Sequence, residues 1–81
     1  MDDIHPEDKG KAKIPGQIVS VRGSVVDIEF LETLPPIHSL IRSGENDVIF
    51  IEAAIHLDEQ RVRGIALNST AGLYRGAPAW T

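Results

Sequence analysis

The feature that most constrains the fold is an alternation of apolar and polar residues with a period of two, interrupted every few residues by glycine, proline or a polar turn. In the run SVVDIEF the apolar side chains fall on one face and the carboxylates on the other, as Val26, Ile28 and Phe30 against Asp27 and Glu29. Such alternation, together with β-branched residues, indicates strands. No helical period competes over a useful length, so the sequence predicts an all-β domain.

A second run, QIVSVRG, precedes this strand and predicts another, with Val19 and Val21 on one face. Gly23 and Ser24 separate the two runs. That break is short enough for a tight hairpin or for a glycine kink in one bent strand. We favour the kink or bulge, because strands that close a small barrel need such corners.

The run VIFIEAAI, residues 48–55, is apolar on both faces, which predicts a strand covered on both sides. After a turn at residues 58–60, the run RVRGIAL returns as its antiparallel partner, with Ile65 and Leu67 facing one way. Gly64 within it predicts a bulge or a close backbone approach.

Turn signals divide the rest of the chain. Pro35 and Pro36 end a strand, and the IHSLI that follows predicts one turn of helix or an irregular edge. Residues 43–47 form a polar loop, and residues 77–81 begin a further strand. Many short strands at close spacing predict a barrel or a sandwich over residues 14–81. Residues 1–13 are rich in charge and poor in apolar side chains, which predicts a flexible, disordered tail.

Composition narrows the function. The net charge of −4 argues against nucleic acid as a partner, and the absence of cysteine excludes disulfides. The longest apolar run is too short to span a bilayer. The one Gly-Lys pair, Gly10-Lys11, lacks the remainder of a phosphate-binding loop. His5, His38 and His56 lack the spacing of metal ligands, so we predict no catalytic, cofactor or metal site in these residues.

Three arginines, at positions 61, 63 and 75, are the charged residues that most suggest a contact with another subunit. Arg61 and Arg63 alternate along one strand, where pairing with Glu52 across the hairpin is one interpretation. The other interpretation is that these two side chains and Arg75 contact an acidic neighbouring subunit.

The order of short motifs resembles the N-terminal barrel of the F-type ATP synthase beta subunit. The first set is G-x-I-V-x-V-x-G, V-V-D-I-x-F and L-P-P-I, at Gly16–Gly23, Val25–Phe30 and Leu34–Ile37. The second set comprises Glu52, Ala54, His56, Leu57, Val62, Arg63, Ile65, Ala66, Thr70, Gly72, Leu73, Arg75 and Gly76. Arg22 and Ser24 around Gly23, and the final PAWT, depart from the family pattern and indicate a divergent branch.

This resemblance implies a small closed six-stranded antiparallel β-barrel that holds alternating alpha and beta subunits together in a hetero-hexamer. It implies that ATP and Mg bind in a nucleotide-binding domain. That domain and the C-terminal domain of the parent subunit would both lie outside these residues. The parent enzyme would couple ATP synthesis or hydrolysis to ion transport at the cytoplasmic side of the bacterial inner membrane, as a peripheral complex. The predicted subunit interface comprises Ile49, Ile51, Glu52, Arg61, Arg63 and Arg75. The alternative is a free-standing OB or SH3-like barrel that binds nucleic acid or peptide, for which basic and stacking side chains are scarce.

Overall fold

The computed structural model describes residues 14–81, so the prediction of a disordered tail over residues 1–13 lies outside the described part of the chain. Within residues 14–81 it contains six strands and one short 3-10 turn at Glu45–Asp47. The strands are β1 (Pro15–Arg22), β2 (Val25–Glu29), β3 (Leu40–Ser43), β4 (Ile49–His56), β5 (Arg61–Ala66) and β6 (Pro78–Trp80). They pair antiparallel in the closed order β1-β2-β5-β4-β3-β6. The predicted closed six-stranded barrel is confirmed.

The core fills the inside of this wall with aliphatic side chains and one aromatic ring. Its buried members are Ile18, Val26, Ile28, Phe30, Ile41, Ile49, Ile51, Ala53, Val62, Ala77 and Ala79. Successive side chains of a strand point to opposite faces, so every second residue of β2 and β5 enters this core. The inward residues predicted for β2 are confirmed.

In β1 a bulge interrupts the regular alternation that the sequence predicts for Val19 and Val21. Ile18 is fully buried and Val21 packs against the core, whereas Val19 is only half-buried. The pairing of β1 with β2 shifts register between Ile18 and Ser20, which makes Val19 the extra residue of a bulge. A bulge exchanges the faces of the residues on its two sides, so simple alternation fails here.

The break at Gly23 and Ser24 is a hairpin, so the favoured kink is wrong. Arg22 pairs directly with Val25, which leaves two residues in the loop. Gly23 has φ of 60°, and a two-residue turn of type II′ needs a positive φ at its first central position. The bending that closes the wall occurs instead at bulges within β1 and β4.

Strand β4 buries Ile49, Ile51 and Ala53, as its alternation predicts. The register then shifts between Ala53 and Ile55, and this bulge leaves Ile55 53% exposed. On β5, a Cβ added to Gly64 would lie 2.5 Å from Ile51 Cγ2. The close-approach interpretation of this glycine is therefore confirmed.

The segment after the two prolines is neither a helical turn nor an irregular edge. It makes a tight turn in which His38 has φ of 76°, and regular strand β3 begins at Leu40. The polar loop before β4 is confirmed and contains the 3-10 turn.

Candidate interface on the barrel wall

The outer faces of β3, β4 and β5 carry a group of exposed apolar side chains around a single carboxylate. Leu40 lies opposite Glu52, and Glu52 lies opposite Ile65. One step along the same strands, Phe50 accepts a backbone hydrogen bond from Leu67 at 2.7 Å. We call Leu40, Phe50, Ile65 and Leu67, with Glu52 between them, the outer patch.

These apolar side chains are incompletely covered by the barrel itself. The exposed fractions are 41% for Leu40, 42% for Ile65 and 58% for Leu67, and Phe50 is half-buried. Contiguous apolar surface of this kind on a small soluble fold is typical of a protein–protein contact. The outer side of β4 is therefore the candidate site.

The residues chosen from that strand need correction. Ile49 and Ile51 are 5% and 0% exposed and pack in the core, so they are unavailable to a neighbouring subunit. Their parity along β4 points them inward, and the outward positions are Phe50 and Glu52. The alternation along β4 separates its two faces correctly but does not show which of them lines the core.

Glu52 is paired, but with a histidine rather than an arginine. Nδ1 of His38 donates a 3.0 Å hydrogen bond to Oε2 of Glu52. Their side chains are 80% and 45% exposed, respectively. The positive φ of His38 belongs to the turn that brings this imidazole beside β4. Sequence spacing carried no signal for this contact.

Arg63 pairs with Asp27 on the neighbouring strand β2, so its predicted pairing with Glu52 is wrong. Nε and Nη2 of Arg63 donate to the two Asp27 carboxylate oxygens at 2.8 and 3.0 Å. Asp27 lies directly opposite Arg63, whereas the β4 bulge puts Ile55 opposite Arg63 on the other side. The bulge thus decides which partner this arginine takes.

The hydrogen bonds from Arg63 hold the pKa of the Asp27 carboxyl below its ordinary value and outweigh burial, which raises it. The Ser20 hydroxyl also donates to Asp27, at 3.3 Å, and lowers the same pKa further. The same contact raises the pKa of Arg63. This carboxylate is therefore ionised and committed to the sheet, which makes it a poor general acid or base.

The other two predicted arginines are more exposed. Arg61 lies 3.9 Å from Asp58 in the turn between β4 and β5. Arg75 lies in the turn before β6, and no ion pair of this side chain is formed within residues 14–81. Neither belongs to the outer patch, so the predicted interface residues do not form one cluster.

Two further polar side chains serve the barrel. The His56 ring nitrogen Nε2 lies 2.8 Å from the carbonyl oxygen of Pro35. Asn68, which sequence inspection did not select, accepts from the Phe50 amide at 2.9 Å and donates to the Val48 carbonyl at 2.6 Å. The sequence signal that could have identified Asn68 is its position as a polar residue directly after a strand. Its side-chain amide satisfies backbone groups at the start of β4.

No three His, Cys, Asp or Glu side chains of residues 14–81 come together as a possible metal site. In the same span there is no helix of the length and hydropathy needed to cross a bilayer.

Comparison with known proteins agrees with the fold. Residues 18–79 match the family described as "ATP synthase alpha/beta family, beta-barrel domain". The chain is 56% identical over 61 residues to ATP synthase subunit beta 2 of Shewanella frigidimarina, covering 75% of this chain and 13% of that protein. It is 53% identical over 66 residues to ATP synthase subunit beta 1 of Marinomonas sp., covering 75% and 14%.

A further relative, ATP synthase subunit beta 1 of Psychromonas ingrahamii, is 57% identical over 61 residues, covering 75% of this chain and 12% of that protein. The chain thus spans only 12–14% of the length of these curated relatives. The resemblance to beta subunits drawn from the motifs is confirmed. By its fold and by the match over residues 18–79, the chain belongs to the ATP synthase alpha/beta family and comprises its β-barrel domain.

Proposed function

We propose that this barrel is the N-terminal assembly domain of the catalytic beta subunit of a rotary F-type ATP synthase. It joins the barrels of neighbouring alpha subunits in an alternating hetero-hexamer. The observation that carries the proposal is the outer patch, an apolar surface on a barrel whose relatives are named as beta subunits. Burial of such surface between subunits is favourable at roughly 25 cal/mol per Å².

The chemistry of the parent enzyme follows from the same family. ATP synthesis and hydrolysis, with Mg as the metal of the nucleotide, are assigned to a domain outside these residues, because this sequence lacks a phosphate-binding loop. The complex would act at the cytoplasmic side of the bacterial inner membrane as a peripheral assembly coupled to ion transport. Residues 14–81 contribute positioning of subunits and no step of the reaction.

Assembly of the full-length beta subunit with its alpha subunits tests this function. We expect the intact subunit to form the hetero-hexamer, and a version lacking residues 14–81 to remain unassembled while retaining nucleotide binding. Native mass spectrometry gives the stoichiometry, and equilibrium dialysis with ATP gives the nucleotide control. A truncated subunit that assembles as well as the intact one would contradict the proposal.

The alternative of a nucleic-acid-binding barrel is tested separately. The outer patch carries one aromatic ring, the half-buried Phe50, whereas its most exposed side chains are the aliphatic Leu40, Ile65 and Leu67. The net charge of the chain is −4. Titration with a single-stranded oligonucleotide at low salt is expected to give no measurable binding. Tight, salt-sensitive binding would favour the alternative over assembly.

A further inference from the structure

We propose, resting on the function above, that the outer patch contacts one neighbouring barrel and that this neighbour places a basic side chain opposite Glu52. The proposal identifies which side of the wall is used, and it specifies the chemistry of the surface that covers it. The occupant is a barrel different from this one, apolar at its contact and carrying an arginine or lysine at its centre.

The first reason is the position of the carboxylate within the patch. Cross-strand pairing places Leu40 on one side of Glu52 and Ile65 on the other. A partner that covers these two side chains therefore also removes water from the carboxylate between them. A carboxylate that loses water without gaining donors costs several kcal/mol, so the partner has to supply a donor or leave the patch uncovered.

The second reason is that the barrel supplies too few donors of its own. An ionised carboxylate has about four acceptor positions, and His38 occupies one. Among residues 14–81, Arg63 is committed to Asp27 and Arg61 lies beside Asp58. Arg42 lies on the same outer face, opposite Phe50, but forms no ion pair with Glu52. The remaining hydrogen-bonding capacity of Glu52 is therefore available to a group from another subunit, and a cation meets it best.

The third reason concerns which barrel can be the partner. If two copies of this chain met through the outer patch about a twofold axis at its centre, the two Glu52 carboxylates would lie close together, because Glu52 is at that centre. Like charges in a buried contact are unfavourable by several kcal/mol. The patch therefore fits a neighbour of a different kind, and an alternating ring of two kinds of subunit provides one.

The opposite wall of the barrel does not offer the same surface. On β1 and β2 the outward side chains include Gln17, Ser20, Arg22 and Asp27, and Asp27 is already neutralised by Arg63. An ion pair completed within the wall needs no partner. Glu29 on β2 is also an outward carboxylate without an ion pair among residues 14–81, but it lies between Gln17 and Arg61. The two walls differ because only Glu52 of these two carboxylates lies between exposed apolar side chains.

The test uses the full-length beta subunit and its alpha subunits, with pairs of matched variants. Glu52→Lys reverses the charge in the patch, and Glu59→Lys makes the same change in the exposed β4–β5 turn. Ile65→Asp places a charge in the patch. Leu31→Asp makes a similar change beyond the far end of β2, where Leu31 is 70% exposed. Circular dichroism and thermal unfolding confirm that each variant is folded.

Sedimentation measures the affinity of assembly. We expect Glu52→Lys and Ile65→Asp to weaken assembly by at least about tenfold, and both controls to change it by less than about twofold. Glu52→Gln keeps the shape of the side chain and provides a second readout. Its affinity is expected to depend less steeply on salt than that of the wild type, because one intersubunit charge pair is gone.

The outcomes separate the two proposals. A wild-type complex that tolerates Glu52→Lys and Ile65→Asp overturns the assignment of this face and leaves the assembly function standing. A wild-type subunit that forms no complex refutes the assembly function and this inference with it. Equal salt dependence of the wild type and Glu52→Gln refutes the basic partner group.

Discussion

The close contact of strands β4 and β5 at Gly64 supports a quantitative prediction for Gly64→Ala. The added Cβ would lie 2.5 Å from Ile51 Cγ2 and 2.8 Å from the Glu52 carbonyl oxygen. Carbon atoms in ordinary contact are about 3.5 Å apart, so the methyl group needs about 1 Å of additional space. Ile51 is fully buried and Glu52 contributes backbone, so neither neighbour can move cheaply.

The energetic outcome is the difference between two effects. Overpacking of a filled core costs about 1–3 kcal/mol, whereas replacing glycine by alanine stabilises by about 0.4–1 kcal/mol through the unfolded chain. Gly64→Ala is therefore expected to lower the free energy of unfolding by about 1–2 kcal/mol. Urea denaturation of the 81-residue chain measures this, with the fluorescence of Trp80 as a probe.

Two further variants isolate the cause. Gly23→Ala adds a methyl group where no atom lies within 4 Å, so its cost is only the strain of a positive φ, about 1–2 kcal/mol. Ile51→Ala removes one of the clashing groups and is expected to couple favourably with Gly64→Ala by about 0.5 kcal/mol or more, but not with Gly23→Ala. A Gly64→Ala chain as stable as the wild type would refute the reasoning.

Two other predictions concern polar contacts. Because the folded pKa of Asp27 lies below its unfolded value near 3.8, the pairing with Arg63 stabilises fully above that pH and is lost as pH falls through the folded pKa. Urea titrations between about pH 5 and pH 2 should show a smaller loss of stability for Asp27→Asn than for the wild type, and equal losses would contradict this. Ser43→Ala leaves the Pro78 carbonyl, 2.7 Å from the buried hydroxyl, without its donor, and should cost about 1–3 kcal/mol in the same assay. The exposed Ser69→Ala serves as control and should stay within about 0.5 kcal/mol of the wild type.

Strand identity was largely predictable because it depends on local pattern. The alternation in β2 and β5 survives in the barrel, since both strands pair without interruption and every second residue enters the core. Gly64 was also correctly interpreted, because a glycine within a strand is rarely kept without a steric reason. The family resemblance rested on short local sequence motifs and is confirmed over residues 18–79.

The site was less predictable because it depends on register. The bulge at Val19 interrupts the predicted alternation of β1, and the bulge after Ala53 leaves Ile55 exposed. Each bulge moves later residues to the other face of the strand. Neither bulge contains a residue type from which it could have been predicted. The assignment of Ile49 and Ile51 to the interface failed for a related reason, since two apolar faces of one strand look alike until the sheet closes.

The sequence by itself determined that short aliphatic strands separated by glycine, proline and polar turns would build an all-β domain of the ATP synthase alpha/beta family. Only the tertiary structure decided which face of β4 is buried and which carboxylate pairs with Arg63. It also placed Glu52 between exposed apolar side chains. The physical reason is that alternation is a property of one strand, whereas pairing partners are a property of the closed wall. Closure brings Asp27 to Arg63 and His38 to Glu52 across chain separations that no local pattern records.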